Sequence, residues 1–176
     1  MACTPQECVL WSYNPCNDKI TGLDVINHFV AYCDPPYCHS ELAFPNGEAC
    51  SIVMGKCVQL RKRSFDPTVY TALTISTTAD KVQKAHQIAM QFVQDKLAFG
   101  LFTPNTTYCS RLVADILLGS GIVADVADVA DVAESEPLRG RLTPSGLHRE
   151  LARMFTASPD SSLVVQAIAF KSSAVL

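Results

Sequence analysis

Cysteine, histidine and carboxylate side chains are the groups of this chain able to run covalent chemistry, and one cysteine stands apart. Cys109 precedes Leu112, Val113, Ile116 and Leu117, whose three- and four-residue spacing predicts the buried face of a helix beginning near the cysteine. Its thiol is therefore expected at a helix N-terminus. Unpaired backbone N–H groups and the positive end of the helix dipole there favour a thiolate, the form that attacks a carbonyl. The same N–H groups can stabilise the oxyanion of a tetrahedral intermediate.

A thiol nucleophile also needs a nearby base. Among His28, His39, His86 and His148, only His39 opens a well-defined strand, the kind of rigid element that holds a general base in place. His86 falls in mid-helix among Gln83, Gln87 and Met90, and His148 lies between Leu147 and Arg149; both read as ordinary surface or boundary histidines. A single strand histidine is more often structural than catalytic, so position alone leaves both readings of His39 open.

The elements that must carry these side chains are legible in outline. From His39 to Phe44 the residues alternate, and Pro45-Asn46-Gly47-Glu48 supplies a turn centred on Asn-Gly, which tolerates the positive φ of a tight hairpin. The second arm is expected to run from Ala49 through Val53 to Leu60. A third strand, Val69 to Ser76, follows the Asp66-Pro67 turn, making three successive antiparallel strands. Thr77 and Thr78 are N-cap candidates for a helix with Val82, Ala85, Ala89, Val93 and Leu97 on one face, closed by Gly100 and Pro104. The Cys109 helix should stop at Gly119 and Gly121. Thr143 caps Pro144 ahead of a short helix near Leu147 to Met154, and the tail from Ser162 to Phe170 returns as a strand. Residues 1–19, rich in Cys, Pro, Asn and aromatics, read as an irregular entry segment, and Ile20 to Tyr32 suits a helix or a strand equally.

Composition bounds what the chain can be. Its 176 residues, 48% apolar and 18% charged, suffice for one folded domain spanning residues 1–176 and exclude a disordered polymer. A net charge of −3 provides no field for nucleic acid, and Arg61-Lys62-Arg63 reads as a solvated strand end. Neither a secretory signal nor an apolar run of about 20 residues is visible, so a soluble, cytoplasmic protein without a membrane span is expected. The 8 cysteines then read as reduced thiols. None falls in a Cys-x-x-Cys pair. A zinc site through Cys33, Cys38 and His39 stays open although no fourth ligand can be named; the preferred reading has neither metal nor cofactor. The Val-Ala-Asp repeat of residues 123–136 places Asp125, Asp128 and Asp131 at i,i+3 spacing without the glycine of a calcium loop; a locally expanded insert with a solvated face is the simpler reading.

Taken together, Tyr37-Cys38-His39-Ser40-Glu41-Leu42-Ala43-Phe44, the hairpin and third strand, a helix, and then Thr107-Tyr108-Cys109-Ser110-Arg111-Leu112-Val113 resemble the circularly permuted NlpC-type branch of the papain-like cysteine hydrolases. In that branch, which includes YiiX-like bacterial proteins and members encoded by large DNA viruses, the histidine strand precedes the nucleophile helix. The resemblance covers roughly residues 20 to 155. Leu142-Thr143-Pro144-Ser145-Gly146-Leu147 is similar to a Thr-Pro-x-x-Leu element that often follows the cysteine helix. It implies an α+β fold, an antiparallel sheet or small barrel packed against helices, with Cys109 as nucleophile, His39 as base, and Tyr108 and Ser110 beside the substrate.

For the group that orients the imidazole, Glu41 is the first choice, because it shares the His39 face of the strand at a two-residue spacing. A solvent-facing strand carboxylate is the competing reading. Across the hairpin the positions nearest His39 fall around the apolar Val53 and Met54, and Ser51 is displaced toward the turn, so a dyad with no third member stays open. The implied activity is a peptidase or amidase that passes through an acyl-enzyme, with acyl transfer as a variant. Its substrate is then a peptide, isopeptide or acyl compound. The alternative is a papain-like scaffold with little turnover, acting as an interaction or virion-associated protein with a virion or host-protein partner, in the host cytoplasm or virion if virus-encoded.

Overall fold

Residues Cys8 to Tyr13 put apolar or aromatic side chains on both pleat faces, and they form an inner strand of the sheet. The structure is a computed structural model and describes residues 5–15, 34–101, 105–123 and 143–156. Strand β1, Pro5–Tyr13, pairs antiparallel with β2, His39–Ala43, on one side and with β5, Tyr70–Thr78, on the other. The expectation of an irregular segment over residues 1–19 is overturned for this stretch. Cys8, Leu10 and Ser12 are buried on one face, while Val9, Trp11 and Tyr13 are half-buried on the other. A strand covered on both faces shows no polar–apolar alternation, so its period is hidden in the sequence.

The hairpin after β2 forms as expected. Gly47 takes φ +81, Phe44 and Glu48 close the turn through a 2.8 Å backbone bond, and Asn46 Oδ1 accepts from the Glu48 amide. Its second arm is not one strand. β3, Glu48–Ser51, ends early, the chain turns through Met54 and Gly55 (φ +74), and β4, Gln59–Lys62, returns antiparallel to β3. The expectation of three successive strands is corrected too. The order is β4-β3-β2-β1-β5, so β5 lies beyond β1 at the far edge and does not touch β4. The link 63–69 therefore crosses the sheet from edge to edge. Among the described residues the sheet is open, which settles the choice between sheet and barrel.

Helix α1, Ala79–Gln94, starts at the N-cap Thr78 and buries Val82, Ala85 and Ala89, as its spacing predicts. It ends at Gln94, before Gly100, where Lys96 adopts φ 52. The two-residue parallel strands β6, Ala98–Phe99, and β7, Thr106–Thr107, deliver the chain to helix α2, Cys109–Gly119. Residue 100 must be small there, since a Cβ would fall 2.4 Å from Thr106 Oγ1. Gly121, at φ +72, closes α2 by donating to the Leu118 carbonyl. Helix α3, Pro144–Thr156, begins with Thr143 Oγ1 accepting from the Gly146 amide at 3.0 Å, the predicted cap.

Leu10, Leu42, Leu73 and Ile75 from the sheet form one core with Leu112, Ile116 and Leu117 of α2 and Leu147 and Leu151 of α3. All three helices thus cover the same face. Val-Ala-Asp residues beyond Val123, Ile20 to Tyr32 and the Ser162–Phe170 tail lie outside the described residues, as do Asp125, Asp128, Asp131, His28 and Cys33.

Candidate active site

The edge of β2 toward β3 is where a strand and a helix end can meet. β3 pairs with β2 only at Leu42 and Ala43. Among the described residues the His39–Ser40 end of β2 therefore has no strand on that side. The start of α2 fills the gap. Tyr108, the N-cap, is extended (φ −133, ψ 167) and provides no side-chain cap, and the first helical bond runs from the Leu112 amide to the Tyr108 carbonyl at 2.8 Å. The amides ahead of Leu112 accordingly have no acceptor within the helix. That of Ser110 is directed at the Cys109 sulfur, as is the amide of Ser40 from the strand edge.

Cys109 and His39 are hydrogen-bonded to each other. Burial pushes the thiol up, yet the bond to His39, its charge and the two amides together bring it below the ordinary thiol value. Burial likewise pulls His39 down, but Cys109 and then Glu41 outweigh it and raise the imidazole to about 9. The two directions agree: the pair favours moving the proton from sulfur toward nitrogen. Cys109 keeps 8% of its surface exposed.

Glu41 stands behind the histidine. Its Oε1 lies 3.3 Å from His39 Nε2, and the carboxylate is only 1% exposed, so the competing picture of a solvent-facing strand carboxylate is overturned. Strand pairing explains the burial, because Glu41 is opposite Trp11 and His39 opposite Tyr13 on the face away from the helices. Continuing the Leu42–Cys50 register would put Ser51 across from Glu41 and Val53 across from His39. The chain turns before that happens, and Val53 and Met54 are exposed. Tyr108 is half-buried beside Cys109. Ser110 is wholly buried, and what it turns toward the sulfur is its amide.

Sequence reasoning missed Arg63. Far from being a solvated strand end, its NH1 lies 2.6 Å from Glu41 Oε1, and NH2 donates to the Tyr70 hydroxyl at 2.7 Å. No local signal marks it, because its partner comes from a strand two positions away in the sheet. No family model, curated protein or solved structure matches the chain.

Around the site, the segment before β2 is tied to α3. Asp34 takes a fork from Arg149 (2.8 and 3.2 Å) and a bond from the Thr143 hydroxyl; Ser145 Oγ accepts from the Tyr37 amide at 2.8 Å. His148 packs on Tyr37, with ring centroids 4.7 Å apart, and shares a hydrogen bond with Ser12 at 3.0 Å, so it is a structural residue of this clamp. His86 is likewise engaged, by Glu48 at 2.7 Å. Substituting Thr143 by alanine is expected to lower stability by about 1 kcal/mol through the lost cap, measured as a lower urea midpoint at unchanged slope. A midpoint equal to that of the unmodified protein would mean that the cap is dispensable.

Among the described residues no group of three or more His, Cys, Asp or Glu is placed to hold a metal, and no helix is long and apolar enough to cross a membrane. His39, one of the residues considered for zinc with Cys33 and Cys38, has its imidazole between Cys109 and Glu41. Among the described residues Cys8, Cys50, Cys57 and Cys109 are free of disulfides.

Proposed function

We propose that the protein is a thiol hydrolase, a peptidase or amidase working through an acyl-enzyme on a permuted papain-like fold. The observation that carries this reading is the hydrogen-bonded Cys109–His39 pair at the start of α2, with the Glu41 carboxylate behind the imidazole.

In the reaction the Cys109 thiolate adds to the carbonyl carbon, and the oxyanion is met by N–H groups at the start of α2. As the tetrahedral adduct collapses, imidazolium His39 passes its proton to the leaving amine or alkoxide, leaving a thioester on Cys109. Neutral His39 then takes a proton from water, whose oxygen attacks the thioester. Collapse expels the thiolate and the acid, and His39 is again imidazolium. An alcohol or amine in place of water would give acyl transfer with the same groups. Since Nε2 is turned to Glu41, Nδ1 is the ring nitrogen left for these transfers.

The test is alkylation by iodoacetamide at pH 6, with all 8 cysteines mapped by mass spectrometry. Cys109 is expected to label first, ahead of the exposed Cys57. Cys8 and Cys50, pushed up by burial to about 12, should label last. A panel of peptide amides and acyl esters, with Cys109→Ser as the blank, should then trap an acyl adduct on Cys109. Labelling of Cys109 no faster than Cys57, with no adduct, would overturn the hydrolase reading in favour of an inactive scaffold that uses its surface.

A further inference from the structure

Glu41 has more positive charge around it than a two-residue relay requires. Its carboxylate is 1% exposed, and Oε1 faces both His39 Nε2 at 3.3 Å and Arg63 NH1 at 2.6 Å. Neither contact lies along a hydrogen-bond axis, and Oε2 has no hydrogen-bond partner, so charge holds this carboxylate in place. Arg63 is itself held firmly. Its guanidinium carbon sits 5.1 Å from the Phe65 ring centre and 5.5 Å from that of Tyr70, and Phe65 stacks on Trp11 at 4.7 Å and 7°. These aromatics sit where the 63–69 link crosses the sheet.

We propose that Arg63 is a positioning residue of the hydrolase site, holding the Glu41 carboxylate in place so that Glu41 can orient His39 through the whole catalytic cycle. The inference rests on the hydrolase reading above. In that cycle His39 alternates between imidazolium and neutral imidazole, so it cannot serve Glu41 as a constant counter-charge. A buried carboxylate left without one takes up a proton. Arginine never loses its charge in this range and is held at a fixed site by its stacking, so it covers the interval when His39 is neutral. The groups around the carboxylate are His39 on β2, Tyr13 opposite it on β1, Cys50 on β3, Tyr70 on β5 and, through His39, Cys109 on α2. Arg63 joins this set from the 63–69 link as its permanently cationic member.

The experiment is the pH profile of Cys109 alkylation in the full chain. With Arg63→Met, the Glu41 carboxylate loses its fixed cationic neighbour and supports the imidazolium less well, so the acid edge of the profile moves up by about one pH unit. Arg63→Lys, which keeps the charge, should recover most of that shift. A role confined to packing would not produce this pattern, because lysine does not restore the stack. Glu41→Gln and the double variant Glu41→Gln/Arg63→Met should share one profile, since Arg63 acts only through Glu41. This pair also carries the test if Arg63→Met alone does not fold, because it leaves no unpaired buried carboxylate. If Cys109 in the unmodified chain labels selectively but Arg63→Met overlays it, or if the double variant shifts beyond Glu41→Gln, the Arg63 role is overturned and the hydrolase reading stands. Without selective labelling in the unmodified chain, both fall.

Discussion

In the His39→Ala protein, alkylation of Cys109 at pH 6.5 is expected to fall by about a hundredfold. Burial is the largest influence on this thiol and pushes it up; the imidazole is the strongest of the groups that bring it down. With the ring gone, the amides of Ser40 and Ser110 remain, and burial prevails. The thiolate then becomes a minor species below the ordinary value of 9.0. Part of the loss is returned because a more basic thiolate is intrinsically more nucleophilic, which is why the expected factor is below the change in thiolate fraction. Alkylation of Cys57 should be unaffected and serves as the internal control. An unchanged Cys109 rate would mean that the imidazole does not activate the sulfur.

The same pair predicts a pH signature in stability. His39, raised from 6.5 to about 9, contributes stability that is fully present below 6.5 and is lost as pH rises through about 9. Cys109, lowered from 9.0, contributes stability that is fully present above 9.0 and is lost as pH falls through its folded value. The pair is charged only between the folded value of Cys109, which lies below 9.0, and that of His39 at about 9. The difference in urea midpoint between the unmodified and His39→Ala proteins should therefore shrink in acid, as the sulfur takes up its proton, and again as pH rises through about 9 and the imidazolium loses its own. A difference that grows in acid would contradict the ion pair.

The second large effect concerns the strand itself. Leu42→Ala is expected to destabilise the protein by about 2–5 kcal/mol, the cost of a cavity at a fully buried leucine. Leu73→Ala, 2% exposed in the native chain and also opposite Leu10, should cost a similar amount. The two should nevertheless differ at the site. Leu42 follows Glu41 directly, and its register with Cys50 is the last link between β2 and β3 before the edge that receives α2. Loosening it should slow selective Cys109 labelling several-fold, whereas loosening β5 should not. Equal labelling in both variants would show that the site geometry does not depend on how β2 is seated.

Sequence reasoning succeeded where the signal was local. The Asn46-Gly47 turn, the buried face of α1, the Cys109 helix and the Thr143 cap all depend on residues within a few positions of one another. It failed where pairing is distant. β1 was hidden because both its faces are covered, and β5 was assigned the wrong neighbour because chain order suggests pairing with the preceding strand. The break at Gly55 was missed because one permissive glycine among strand formers is a weak signal.

What the sequence by itself determined is the inventory of chemistry: a cysteine heading a helix, a histidine opening a strand, and a glutamate on the same strand face. Helix and strand periodicities are local, and they suffice to orient each of these groups on its own element. Only the tertiary structure decided that they meet and what surrounds them. The early end of β3 leaves the β2 edge to the start of α2, and the crossing of the 63–69 link brings Arg63 over Glu41. Both follow from how strands far apart in the chain are ordered in the sheet, which hydrophobic burial of the whole core selects and no short window of residues encodes.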